Sequence, residues 1–226
     1  MGVPRVAGGA GGEPRPSAVE RALRLFTEVR VGEGVAALAM VTNVFLILCA
    51  YYFVKSLRDG WLASSDVRGL SSMEIKAYTS FAQGIILIFV VSGYGWLAAR
   101  WPRRDLIVRS TLFCMSNLVL FWFLRPRLGA DPVPGTGIAF YIWVGMFGVF
   151  VVSQFWAFAA DFYTQERGQR LLPLVAIGAT AGAASGSFLT GAIVQWFDSS
   201  ALLLLALAPL AGSIALTALA EARGPL

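Results

Sequence analysis

Six uninterrupted apolar runs, each about 20 residues long, constrain this chain more than any other feature of it. A run of that length crosses roughly 30 Å of hydrocarbon as a helix. Inside lipid the backbone must satisfy its own hydrogen bonds, which leaves only helices and closed barrels. The runs are continuous rather than alternating between apolar and polar, so a barrel is excluded. The expected fold is all-α, a polytopic membrane protein of six transmembrane helices. Composition agrees: 57% of residues are hydrophobic and 14% charged, whereas a soluble domain carries about 25% charged residues.

The first span begins near Gly34 and is apolar to Val54, with its helical pattern continuing through Lys55-Ser56-Leu57-Arg58-Asp59 to Leu62. Ser71-Ser72-Met73-Glu74 has the form of a capping box and opens a second span that reaches Ala99. A third covers 106–124, and the proline-rich stretch from Arg125 to Gly135 is a loop no helix can enter. The fourth span covers 137–162, the fifth 172–197 and the sixth 201–220. Together 34–220 form the expected six-helix bundle. Residues 1–16 are rich in Gly and Pro and read as a disordered tail. Ser17-Ala18-Val19-Glu20 is another capping box, and Ala22, Leu25, Phe26 and Val29 share one face. An amphipathic helix lying on the membrane surface is therefore expected over 17–31. Residues 221–226 read as the start of a linker or tail.

Orientation follows from the placement of Lys and Arg. With the N-terminus inside, the inner segments hold eleven of them and the outer segments six, leaving aside Arg109, which lies within the third span. Both termini are thus expected to be cytoplasmic, and the membrane is expected to be the cell's inner one. The net charge of +5 comes from these short loops, so topology explains it and nucleic acid is not an expected partner. The chain has no histidine, and its two cysteines, Cys49 and Cys114, fall inside apolar runs. No metal or cofactor is expected, and an enzyme is not, since the usual general base is absent.

Three constellations stand out against this apolar background. At the end of the first span, Lys55 and Arg58 are three residues apart and Asp59 is four after Lys55, which puts all three on one helix face. Two readings stand: a cationic patch for an anionic solute, or a headgroup-level cluster in which Lys55 pairs with Asp59 beside Tyr51 and Tyr52. In the fifth span Gly178, Gly182 and Gly186 recur every four residues, a spacing that lets a neighbouring helix approach closely. The loop between spans two and three reads Gly95-Trp96-Leu97-Ala98-Ala99-Arg100-Trp101-Pro102-Arg103-Arg104. No Asp or Glu lies mid-span; Asn43, Gln83, Asn117, Ser153 and Gln154 are the polar groups there.

That loop resembles the signature loop of the major facilitator superfamily through Gly95, Leu97, Arg100, Arg103 and Arg104, with Ala99 in place of an aspartate and Pro102 in place of a glycine. The span-one segment and Phe155-Trp156-Ala157-Phe158-Ala159, followed by Glu166 and Arg170, resemble the bacterial and plastid nucleotide (ATP/ADP) translocases, a related branch. Ala160 replaces an asparagine of that pattern, and Trp143 to Met146 lack its acidic residue. The resemblance implies the N-terminal six-helix half of a transporter of the major facilitator type, pairing with a second six-helix half. It would move an organic anion, such as a nucleotide or other phosphorylated solute, by alternating access. Lys55 and Arg58 would draw the substrate, Tyr51, Tyr52, Gln154 and Trp156 would line its path, and Gly95, Arg100, Arg103 and Arg104 would form a gating loop. The alternative is a non-transporting assembly or scaffold subunit that keeps the bundle.

Overall fold

The computed structural model describes residues 21, 27–30, 33–65, 67, 69–125 and 135–222. Seven helices occur among them: α1 Gly34–Ala63, α2 Ser72–Ala98, α3 Arg103–Leu124, α4 Thr136–Phe162, α5 Gln165–Val194, α6 Ala201–Leu205 and α7 Leu207–Ala222. Five of these, and α6 with α7 taken together, make six helices long and apolar enough to cross a membrane. The described part of the protein is all-helical and multi-pass.

Local sequence sets the boundaries. The capping box at Ser71 forms as read: Glu74 N donates to Ser71 Oγ at 3.4 Å, and Ser71 N donates to Glu74 Oε2 at 2.8 Å. Gly135 adopts φ +79 just before α4, a left-handed turn that glycine enters without penalty. The fifth helix begins at Gln165 rather than 172 and ends at Val194 rather than 197. Hydropathy marks where a helix enters lipid, and the first two turns of α5 are polar and lie beyond that point. Trp196 and Phe197, expected inside the span, sit in the following turn and are 82% and 65% exposed. The sixth span is broken at Ala206 between α6 and α7. Pro209 accounts for the break, because its ring clashes with the carbonyl four residues back, at Leu205. Most of the surface helix expected over 17–31 lies outside the described residues, as do the tail, the capping box at Ser17 and most of the 125–135 loop. Arg21 is described and helical, whereas Thr27 to Arg30 are described and are not.

The core is organised around α1, which packs against α5, α4 and the sixth span. Its contact with α5 is the closest. A methyl carbon placed on Gly178 would lie 2.8 Å from Val41 O, and one on Gly186 would lie 2.8 Å from Cys49 O, while Gly182 backs onto Phe45. Val41, Phe45 and Cys49 repeat every four residues in the same order as the three glycines, so the two helices mesh in parallel. The small-residue stripe thus packs helix on helix, as its spacing implied. A run of rings ties α1 and α3 to α4: Trp61 to Phe140 at 4.4 Å, Phe140 to Phe121 at 5.0 Å, and Trp143 to Phe147 at 5.3 Å between centroids.

The neighbours form a pattern. α1 touches α5 as α4 touches α2; α1 touches the sixth span as α4 touches α3; α1 meets α4, and α3 meets the sixth span. Exchanging the first three spans for the last three leaves these pairings unchanged. α2 is the most peripheral helix, burying only Ile75 and Thr79 and leaving Phe81, Ile88, Phe89 and Trp96 outward.

Candidate functional site

Every polar cluster of note sits near one of the two ends of the bundle or in its buried centre. At the end carrying Ala63, the last turns of α1 present Tyr51, Tyr52, Lys55, Arg58 and Asp59. The Lys55 ammonium lies over the Tyr52 ring at 4.9 Å and the Tyr51 ring at 5.7 Å, both on the preceding turn of the same helix. Tyr51 is held from behind by α4, where Gly148 leaves room for its ring: a methyl carbon there would sit 2.7 Å from Tyr51 Cζ. Asp59 does not pair with Lys55. It takes Lys76 of α2 at 2.9 Å and, at a looser 3.5 Å, its neighbour Arg58. Arg58 in turn stacks over Tyr141 of α4 at 4.5 Å, and the Tyr141 hydroxyl meets Ser80 Oγ at 3.0 Å. This ladder fastens α1, α2 and α4 to one another. It leaves Lys55 with aromatic faces and, among the described residues, no carboxylate in ion-pair reach.

Gln154 and Trp156 are not brought to this group. Tyr51 is level with Gly148, so Gln154 lies about 15 Å deeper than Lys55, counting 1.5 Å per residue along both helices. Gln154 points into the core, where its Oε1 accepts from Ser110 Oγ of α3 at 2.8 Å. Trp156 is half-buried, edge-on to Phe155 at 5.6 Å. The residues expected to line one path therefore occupy two levels.

The loop expected to gate lies at the opposite end of the bundle. Gly95 faces open space, and Arg100 stacks on Trp96 at 3.9 Å. Arg103 and Arg104 open α3. Arg103 donates to Ala157 O at 2.8 Å and pairs with Asp161, both at the end of α4. A carboxylate on another helix thus meets the loop, although position 99 supplies none.

Beside it sits a cluster centred on Glu33, which the sequence reading did not single out although it named two of its members, Glu166 and Arg170. Glu33, whose side chain is only 5% exposed, accepts from Arg167 Nε at 3.2 Å and from Arg170 Nη2 at 3.3 Å. Arg170 also donates to Glu28 O at 2.6 Å, and Thr27 Oγ1 donates to Arg170 O at 2.7 Å. Arg30 pairs with Glu166 at 2.7 Å in the open. Burial raises the Tyr163 phenol above its ordinary pKa, and the Glu33 charge adds to the effect. The segment leading into α1 is thereby latched to the first turns of α5, the same two helices that mesh through the glycines. A carboxylate one residue ahead of an apolar span was the available signal.

No family model, curated protein or solved structure matches this chain. Among the described residues two charged layers lie at the ends of the bundle with a buried polar level between them, and Lys55, like Arg100, Arg109 and Arg125, has ring contacts and no ion pair.

Proposed function

We propose that the chain is the N-terminal six-helix half of a secondary transporter that moves an organic anion, a nucleotide or another phosphorylated solute, by alternating access. Lys55 carries the proposal: its ammonium rests on two tyrosine rings, with Asp59 committed to Lys76. An unpaired cation within a membrane span is an expensive arrangement that ordinarily marks a solute or ion path. Arg58 stands one turn further along, half-sheltered by Tyr141, and adds positive potential. The tyrosines offer flat faces and hydroxyls to an organic group beside the charge.

The exchange-invariant pairing of the first and last three spans supports an architecture of the major facilitator type, whose six-helix halves are built from two inverted three-helix repeats. Substrate would then bind between this bundle and a second one. The excess of arginine at the Glu33 end, with Arg30, Arg100, Arg103, Arg104, Arg167 and Arg170, supports placing that end in the cytoplasm of a cell whose inner membrane holds the protein. The Arg103–Asp161 pair would then serve as a contact that the inner gate makes and breaks.

The test is exchange of labelled ADP against internal ATP in proteoliposomes holding the chain together with its second half. Lys55→Ala should lower exchange at least tenfold, since a charge-assisted contact to an anion contributes about 1.5–3 kcal/mol. Lys55→Arg should keep much of it. Exchange that is unchanged in Lys55→Ala refutes the role of the lysine, and no exchange by demonstrably inserted wild type refutes nucleotide as substrate. A scaffold subunit predicts instead that Lys55→Ala is silent while changes at Gly182 disrupt assembly.

A further inference from the structure

Deep in the bundle, α1, α3, α4 and α7 enclose a cavity of about 10 Å³ whose polar lining is Asn43, Thr111, Gln154, Ser213 and Thr217. That is room for one water-sized occupant. Asn43 is 1% exposed and Gln154 3%, so neither reaches bulk solvent. Each amide is half satisfied. Asn43 Nδ2 donates to Thr217 Oγ1 at 3.0 Å, and Thr217 passes its own hydrogen to Ser213 O at 2.9 Å. Gln154 Oε1 accepts from Ser110 Oγ at 2.8 Å. The remaining ends, Asn43 Oδ1 and Gln154 Nε2, are buried and form no hydrogen bond within normal geometry, although the Tyr94 hydroxyl lies near Gln154. Buried polar atoms are almost always bonded, and an orphan calls for an explanation.

We infer that this cavity holds one ordered water molecule, which donates to Asn43 Oδ1 and accepts from Gln154 Nε2. The chemistry of the two orphans selects the occupant. One is an acceptor and the other a donor, and water serves both at once. A bare cation would suit Asn43 Oδ1 and be repelled by the Gln154 N–H, while an anion would reverse the mismatch. An apolar occupant would leave both unsatisfied. The Thr111 hydroxyl on the same wall gives the water a third neighbour, within the two to four that buried waters usually have. Asn43 is already tied to the sixth span and Gln154 to α3, so the water completes a polar seam through the four central helices. That seam joins α1 to α4, the two helices at the middle of the exchange-invariant pairing. The seam is independent of which solute, if any, the protein moves.

A double-mutant cycle in lipid nanodiscs tests this, with Asn43→Leu, Gln154→Leu and the double variant followed by thermal unfolding. If one water links the two amides, each single change strands the other's orphan and lowers Tm by about 2–4 °C, a shift of the size that one lost buried bond gives in a chain this long. The double variant should fall by clearly less than the sum of the two single losses, because each change removes its own formed bond but no orphan then remains. Additive losses overturn the shared water. Tyr94 is the neighbouring hydroxyl that would serve Gln154 instead, so a Tyr94→Phe loss equal to that of Gln154→Leu also overturns it. Exchanging choline chloride for sodium chloride should leave the wild-type Tm unchanged. A sodium-specific rise that Asn43→Leu abolishes would assign the cavity to a cation. Should the leucine variants fail to fold, a wild-type map fine enough to show ordered water decides: density between the two amides supports the assignment and an empty cavity refutes it.

Discussion

Replacing Gly182 by alanine adds one methyl group where α1 and α5 meet, and the consequence can be worked from the geometry. The new carbon would lie 2.8 Å from Phe45 Cα and closer still to the Phe45 carbonyl oxygen. Non-bonded carbons rest at about 3.5–4.0 Å, so the helices must part locally by roughly 1 Å. The opposing atoms are backbone, which no rotamer change can move aside. Overpacking of this kind costs about 1–3 kcal/mol, while alanine returns up to about 1 kcal/mol through its better helix propensity. The net loss should be about 1–2 kcal/mol, a fall in Tm of about 2–8 °C for a chain of this length. Gly191, on the same helix, has no atom within 4 Å of a methyl placed on it. Gly191→Ala should therefore match or exceed wild type. Thermal unfolding in one lipid nanodisc preparation, followed by near-ultraviolet circular dichroism, compares the two directly. If Gly182→Ala proves as stable as Gly191→Ala, α1 and α5 are not in the backbone contact described, and the role assigned to the glycine stripe is wrong.

Glu33→Gln should cost about 2 kcal/mol in the same assay, below the 3–5 typical of a fully buried broken pair because Arg167 and Arg170 can turn partly to solvent; an unchanged Tm would mean the latch carries no stability. Asp59→Asn should lose no more than about 1 kcal/mol, since Asp59 and Lys76 are both at least half exposed, and a larger loss would show the pair to be better sheltered from solvent than its exposure implies. Raising salt to about 1 M, where charges are screened within about 3 Å, should bring wild type close to that variant. Ser71→Cys should react with a membrane-impermeant maleimide added to intact cells, and Thr164→Cys only after permeabilisation. The reverse pattern would invert the proposed orientation. Cys49 and Cys114 are buried and should stay silent in both preparations.

The helices were legible because lipid imposes one demand along the whole length of a span, and a run of apolar residues meets it without reference to any partner. Gly34–Ala63 and Thr136–Phe162 match the reading to within about one residue for this reason. Where the ends of a helix leave lipid the signal fails, as it did for the mostly polar first two turns of α5. The break at Ala206 was carried by Pro209, but a proline within an apolar run also occurs in unbroken spans: Pro173 sits inside α5 without ending it. The glycine stripe was legible as a close contact, yet not its partner, because Val41, Phe45 and Cys49 have no small-residue signature of their own.

Charge pairing was the least legible part, and it decides the site. Spacing along α1 allows Lys55 to reach Asp59, and a single sequence cannot show that Lys76, seventeen positions beyond Asp59, arrives first. Once α2 folds back and Lys76 takes the carboxylate, the meaning of Lys55 changes. It stands eight residues before the end of α1, about 10 Å from the midpoint of a helix that is itself about 45 Å long. Among the described residues its ammonium is supported by ring faces and no carboxylate, a cation–π attraction of about 0.5–2 kcal/mol. That is less than the cost of about 2.5–3.5 kcal/mol that the translocon scale assigns to a charge at the centre of a span, a cost that falls toward the interface. On the proposed reading, the face of α1 that carries Lys55 looks onto water or an anion rather than lipid. On that reading, the loss of Asp59 to Lys76 is what gives an apolar six-helix bundle a side.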